Sequence, residues 1–242
     1  MNIMKIYAPF KYLLLSLTTI ILGSLLSACA GNAVFSTSES RIDSSENYQA
    51  VRKIAIGQQW IYNVRNLYNN EVIDTITENV VSVAPLIEIK RESQKHGSLP
   101  SEIQSTTGLV LTDPYWNPPV NFVSPMPMWP QSNVKSQTFT TQYKVSDAES
   151  KYLWSSTITN AGAEVVILQG SKFNTLKSTN SIYFISDDFS RHTSLRHSTI
   201  WIAPNIGRWV VRTTDGTYLD NNTGIGNDRY ENMLRYELIS YK

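Results

Sequence analysis

Two stretches of this chain gather side chains that could bind a metal ion. His192 and His197 stand near Asp187, Asp188, Arg191 and Arg196, the densest polar cluster in the sequence. A metal centre needs neutral imidazoles and carboxylates converging about 2 Å from one ion, and this spacing does not enforce that. The expectation is a solvated loop between strands. Further on, Asp220-Asn221-Asn222-Thr223-Gly224-Ile225, with Glu231 in the twelfth place, puts oxygen-bearing side chains at the first, third and twelfth positions of a calcium loop. Gly224 and Ile225 fall where such a loop needs an oxygen ligand and a glycine, so an Asn/Gly turn is expected instead. Hydrolase and nucleotide-enzyme motifs are missing: no Gly-x-Ser-x-Gly elbow, no His-Glu-x-x-His, no P-loop, no dinucleotide glycine fingerprint. No catalytic residue, metal or cofactor is therefore assigned. A carboxylate pair assembled in space leaves an unrecognised hydrolase as one alternative.

The six tryptophans carry a different chemistry. Trp60, Trp154, Trp201 and Trp209 lie in strand-like segments, and Trp116 and Trp129 in a proline-rich stretch with Met126 and Met128. Most indoles of this kind are core. A concave sheet lined by aromatics and methionines could also hold an apolar ligand or a partner segment. Trp116, Trp129, Met126, Met128, Trp201 and Trp209 are the candidate binding face, and both readings stay open.

Cys29 is the one cysteine and closes the run Leu26-Ser27-Ala28-Cys29. Ahead of it, Lys5 and Lys11 supply a positive n-region, and Tyr12 to Leu26 is apolar and uncharged. Such a core is too short to span a bilayer comfortably and fits a cleaved export signal. The ending resembles the bacterial lipobox. That resemblance implies diacylglycerol on the Cys29 thiol, cleavage before Cys29 and acylation of the new amino terminus. In Gram-negative sorting it further implies that Ala30, in place of an aspartate, directs the protein to the outer membrane. With two or more acyl chains the anchoring is stable.

Residues 1–28 are thus read as signal peptide, 29–50 as a flexible tether and 51–242 as a single β domain. The tether holds Ser36, Ser38, Ser40, Ser44 and Ser45 and little apolar content. Losing Lys5 and Lys11 takes the 21 basic residues of the chain to 19, against 20 acidic ones. A near-neutral protein has no strong field to draw it to nucleic acid. An acylated Cys29 leaves no thiol for a disulfide, so stability must come from packing.

The elements that must position these side chains read as strands. Trp60, Tyr62 and Val64 alternate with polar neighbours at a period of two. Val72–Val83, Leu86–Ile89, Gly108–Leu111, Thr138–Val145, Tyr152–Thr159, Glu164–Leu168, Lys172–Lys177, Ser181–Ile185, Thr199–Ala203, Arg208–Thr213 and Leu234–Tyr241 follow. Asn160-Ala161-Gly162 reads as a hairpin turn. Six of the ten prolines fall between Asp113 and Pro130, which predicts an ordered extended loop and not a central strand. Short helices are expected at Ala50–Ala55 or Asp147–Tyr152. Strands at about ten-residue spacing predict a mainly β fold: a single curved antiparallel sheet, half-barrel, barrel or sandwich.

Gly57-Gln58-Gln59-Trp60-Ile61-Tyr62 and Thr199-Ile200-Trp201-Ile202-Ala203-Pro204-Asn205-Ile206-Gly207-Arg208-Trp209-Val210-Val211 resemble the first strand and the Trp-x-Ala-Pro-x-x-Gly-x-x-Val signature of TapB-like bacterial envelope proteins. Gln169-Gly170-Ser171-Lys172-Phe173 resembles the Ala-Gly-x-Phe turn of that family with one residue extra. The resemblance implies a strongly curved antiparallel sheet and supplies no catalytic residue. Together these features predict an outer-membrane lipoprotein, facing the periplasm, that acts as a non-catalytic binding or scaffold module for a protein partner or apolar ligand. A lipid or lipoprotein carrier with an apolar cavity is the alternative.

Overall fold

The computed structural model describes residues 37–39, 51–116, 119–130, 135–145, 150–185, 191–220 and 227–242, all within the compact unit Phe35–Lys242. Among the described residues there is no helix. The strands are β1 (Thr37–Glu39), β2 (Gln59–Asn66), β3 (Glu71–Ser82), β4 (Ile87–Ser93), β5 (Gly97–Gln104), β6 (Val110–Asp113), β7 (Val120–Met126), β8 (Ser136–Val145), β9 (Tyr152–Leu168), β10 (Ser171–Ile185), β11 (Arg191–Ala203), β12 (Arg208–Asp220), β13 (Asn227–Tyr230) and β14 (Leu234–Tyr241). All pair antiparallel. The order is β9-β10-β11-β12-β14-β2-β3-β4-β5-β6-β7-β8, and β8 returns to β9, so a 12-strand barrel closes on itself. Closure removes the unpaired edges that an open sheet would present. β1 adds to the half of β9 beyond its β8 pairing, and β13 to the end of β12. Thr37–Glu39 lies inside the span read as tether.

The wall follows the period of two. Trp60, Tyr62 and Val64 point inward from β2, while Gln59, Asn63 and Arg65 face out. On β3 the inward set is Ile76, Glu78 and Val80; on β9 it is Trp154, Ser156 and Ile158. Thr138, Thr140 and Gln142 cover the outside of β8. Apolar-in and polar-out is the reverse of a lipid-facing barrel. No helix among the described residues is long and apolar enough to cross a membrane.

Several strands run through positions expected to break them. Tyr152–Thr159 and Glu164–Leu168 are one strand, as are Lys172–Lys177 and Ser181–Ile185. Asn160-Ala161-Gly162 is not a turn. The register passes from Lys177↔Gly162 to Ser178↔Asn160 and leaves Ala161 unpaired, a bulge with Gly162 at φ 96°. The turn is Gln169-Gly170, whose φ values of 49° and 81° suit a two-residue hairpin connection. In the proline-rich stretch, Val120–Met126 is a strand between β6 and β8. Pro125 is tolerated because Val123, Ser124 and Pro125 fall between the paired positions, where no ladder donor is needed. The helix expected at 50–55 is absent over 51–55, Tyr152 opens β9, and 147–149 lie outside the described residues.

The Ala203–Arg208 hairpin forms as read, with Gly207 at φ 78°. A Cβ there would sit 2.7 Å from the Arg52 carbonyl oxygen, and the Arg52 amide donates to the Pro204 carbonyl at 2.8 Å. Gly170, at φ 81°, has open space around it. Gly170→Ala should therefore cost only the left-handed backbone strain of about 1–2 kcal/mol, and Gly207→Ala measurably more. Urea melts of the two variants check this; equal midpoints would mean that Arg52 gives way freely.

Candidate functional site

A 12-strand barrel has room for more than wall residues, and here the interior is filled from two levels. At the Gly207 end stands Arg208, the first residue of β12, with no exposure to solvent. Its Nε and Nη2 donate to Glu78 Oε2 at 3.1 and 2.8 Å. Its Nη1 and Nη2 donate to Glu102 Oε1 and Oε2 at 3.0 and 2.6 Å. Glu78 comes from β3 and Glu102 from β5, so one guanidinium ties together three parts of the wall. Glu78 also accepts from the Tyr115 hydroxyl, and its Oε1 lies 3.4 Å from Arg91 Nε. Gln104 donates to Glu102. Tyr62 stacks on Trp209 at 4.0 Å, and Tyr115 and Tyr236 meet the same indole edge-on.

The electrostatics follow from burial opposed by pairing. Burial alone would raise the Glu102 carboxyl, but the charge and hydrogen bonds of Arg208 hold it below the usual carboxylate range. Burial would lower Arg208, yet Glu102 and Glu78 push it well up. Burial raises Tyr62 and Tyr115 well above an ordinary phenol. Glu78 and Glu102 are a carboxylate pair, the feature that would favour a hydrolase. Both are fully buried and engaged by a forked guanidinium, which suits a fixed charge and not a proton-transfer group. Glu78 had a signal in the sequence, since it occupies an inward position of β3. Glu102 lay in a strand, β5, that the sequence reading left out.

The second level is aromatic. Trp116, three residues past the end of β6, packs edge-on to Trp154 and Phe184 at 4.7 and 4.8 Å. Tyr143 and Phe122 complete the group around Trp154. Arg196 lies 3.3 Å from the centre of the Trp116 ring and 2.5 Å from Glu231 Oε2. Beside Phe122, Trp154 and Arg212 is a cavity of about 30 Å³, and near Val51, Trp129 and Ile202 a smaller one of about 10 Å³.

All six residues of the candidate binding face are buried: Trp116, Trp129, Met126, Met128, Trp201 and Trp209. The structure places them in the core cluster and on no outer surface. Met126 and Met128 line the larger cavity, Trp129 the smaller, and Trp209 belongs to the ion-cluster level. Trp201 Nε1 donates to Glu164 Oε2 at 2.9 Å. His197 Nδ1 lies 3.2 Å from Asp215 Oδ1 on the exposed wall. Asp187 and Asp188 lie outside the described residues, as does the His192 side chain. Asp220 and Glu231, the ends of the calcium-like stretch, pair with Arg229 and Arg196. Cys29, the expected lipidation site, is outside the described residues.

The outer wall carries an apolar row, across β9 to β13, that the sequence reading missed. Tyr183 on β10 stands directly opposite Leu195 on β11, and both are about two-fifths exposed. Leu195 opposes Thr217 on β12, which opposes Tyr230 on β13, itself 76% exposed. Leu153 and Leu219 extend the row on β9 and β12. Their residue types carried a signal, but which face they occupy depends on bulges that the sequence hid.

No family model matches this sequence, and no curated relative matches it. A similar solved structure is that of a candidate lipoprotein from Parabacteroides distasonis ATCC 8503, at 12% identity and a TM-score of 0.47, covering 78% of this chain and 96% of that one. At that distance the reading of the barrel rests on its own residues.

Proposed function

We propose that this protein is a lipid-anchored, non-catalytic binding module of the bacterial outer membrane, facing the periplasm, which meets a protein partner on the outer wall of its barrel. The observation that carries the reading is the apolar row of Leu153, Tyr183, Leu195, Leu219 and Tyr230, which spans neighbouring strands β9 to β13, whereas Val72, Ile73, Val81 and Val123 stand exposed on β3 and β7. Aromatic and aliphatic side chains held rigidly side by side on a sheet suit protein contact. The packing inside supports it. Two cavities among the described residues, of about 10 and 30 Å³, are far too small for an acyl chain, and a larger one of about 510 Å³ is lined mostly by polar and charged side chains, Asn79, Lys90, Arg91, Glu92, Ser98 and Ser101, which weighs against a lipid carrier. The test is a photo-crosslinking residue placed in living cells at Tyr183 or, as control, at the exposed Lys90 of β4. A discrete adduct at Tyr183 that Leu195→Glu removes, and no such adduct at Lys90, is the expected result. Leu195→Glu should leave the melting midpoint within about 0.5 kcal/mol of wild type, being a surface change. Equal adducts at both positions would remove the row from the argument.

The anchor in this reading rests on Leu26-Ser27-Ala28-Cys29. Cys29→Ser should abolish acylation and shift the protein from the detergent phase to the aqueous phase on partitioning. A Ser variant that loses its signal segment and still enters detergent would refute lipidation at this residue.

A further inference from the structure

Among the described side chains four arginines point into the barrel, and three of them meet a carboxylate. Arg91 pairs with Glu78, Arg196 with Glu231, and Arg208 with Glu78 and Glu102. Arg212, on β12 one turn of the pleat from these, does not. It is 95% buried by its exposure of 5%, and no ion pair reaches it among the described residues. Its guanidinium carbon lies 4.2 Å from the centre of the Tyr115 ring, yet its Nε and Nη1 have no hydrogen-bond partner. Ser198, on the neighbouring strand β11 and 3% exposed, has an unpartnered hydroxyl as well. Both residues line the cavity of about 30 Å³, beneath Met126 and Met128.

We propose that this cavity is a binding site for a single halide ion, chloride under ordinary conditions, held by Arg212 Nε and Nη1 and the Ser198 hydroxyl. The unpaired donors are the deciding argument. A buried donor without an acceptor is disfavoured. A water molecule could accept from two of the three donors and would leave the third unpaired. A halide accepts from all three. The volume excludes larger anions, since a site of this size holds roughly one or two waters and no carboxylate or phosphate group. Asp113 also lines the cavity, but its two carboxylate oxygens already accept from the Tyr115 amide and from Trp116 Nε1, each at 3.0 Å. Asn180 adds a polar wall, its Oδ1 taken by the Ser156 hydroxyl at 2.8 Å. A bound halide would join β11 and β12 to the methionine roof. The inference is independent of what the outer wall binds.

Crystals of the full domain grown in bromide supply the direct test. An anomalous peak within hydrogen-bond distance of Arg212 Nε is expected. Melting temperatures at fixed ionic strength supply the second. Exchanging about 200 mM sodium gluconate for chloride or bromide should raise the midpoint by on the order of 3–5 °C. Ser198→Ala should move the half-saturating chloride concentration upward, and Arg212→Met should abolish the chloride dependence. Should Arg212→Met fail to fold, the wild-type anomalous peak and the Ser198→Ala shift still decide. A cavity that refines as water in bromide, or melting temperatures equal in gluconate and chloride, overturns the proposal.

Discussion

Arg208→Met should unfold this domain or destabilise it by about 3–5 kcal/mol, because it strands Glu102 in the interior and leaves Glu78 to Arg91 alone. That is a large fraction of the roughly 5–15 kcal/mol that holds an ordinary domain together. Glu78 and Glu102 are both fully buried, and Arg208 is bonded to each by paired hydrogen bonds between 2.6 and 3.1 Å. Arg208→Lys should recover little, since a point charge cannot serve two carboxylates with a planar fork. Arg208→Met combined with Glu102→Gln should recover much more, since Glu78 then keeps Arg91 as its partner and no carboxylate of the cluster is left without a cation. The same pairing sets an acid limit. Glu102 is held below the usual carboxylate range, so its contribution is complete above the ordinary value of about 4.5 and fades as the pH falls through its lower folded value. Wild-type urea midpoints should therefore stay level from neutral pH to the carboxylate range and drop below it. A midpoint for Arg208→Met close to wild type at pH 7 would show that the cluster contributes no net stability.

How far the fold was legible depended on whether a strand obeyed one period throughout. β2 and β14 did, and their residues alternate without interruption over most of their length, so both were visible in the sequence. β9 and β10 did not look continuous, because Asn160-Ala161-Gly162 carries turn chemistry that the chain uses as a bulge. The real reversal at Gln169-Gly170 lacks the Asn-Gly or Asp-Gly signature and showed in the sequence as the break between Glu164–Leu168 and Lys172–Lys177 and the resemblance to the Ala-Gly-x-Phe turn. The ion cluster was hidden for another reason. Arg91, Glu102 and Arg208 look like surface residues one at a time, and only the closed register brings them within reach of one another. β5, Gly97–Gln104, is mostly polar and was not read as a strand, yet it delivers Glu102 to Arg208. The Trp201–Trp209 hairpin was legible because its turn residues and its aromatic arms agree locally, which asks nothing of distant strands.

That hairpin gives the other large effect. Trp209 is fully buried, stacks on Tyr62 and meets Tyr115 and Tyr236 edge-on. The Tyr62 hydroxyl donates to the Trp209 carbonyl at 3.0 Å, so the ring and the backbone of the same residue are engaged by one tyrosine. Trp209→Ala should cost about 3–5 kcal/mol through the cavity it opens beside Arg208. Trp209→Phe should cost clearly less, since the indole Nε1 has no hydrogen-bond partner to lose among the described residues. Trp201 behaves differently. Its indole donates to Glu164, whose Oε2 also lies 3.1 Å from Lys177 Nζ. Trp201→Phe should therefore lose a hydrogen bond to a charged group, worth about 1.5–3 kcal/mol, which Trp209→Phe does not. The order of the two Phe variants in a urea melt is the diagnostic, because it depends on hydrogen bonding and not on ring volume. Near-wild-type midpoints for Trp201→Ala and Trp209→Ala together would take both rings out of the core and restore them to a binding face. A deficit in each, with Trp201→Phe the weaker of the Phe pair, would fix the hairpin as the seam that joins the charged level of the lumen to the hydrogen-bonded rim around Glu164.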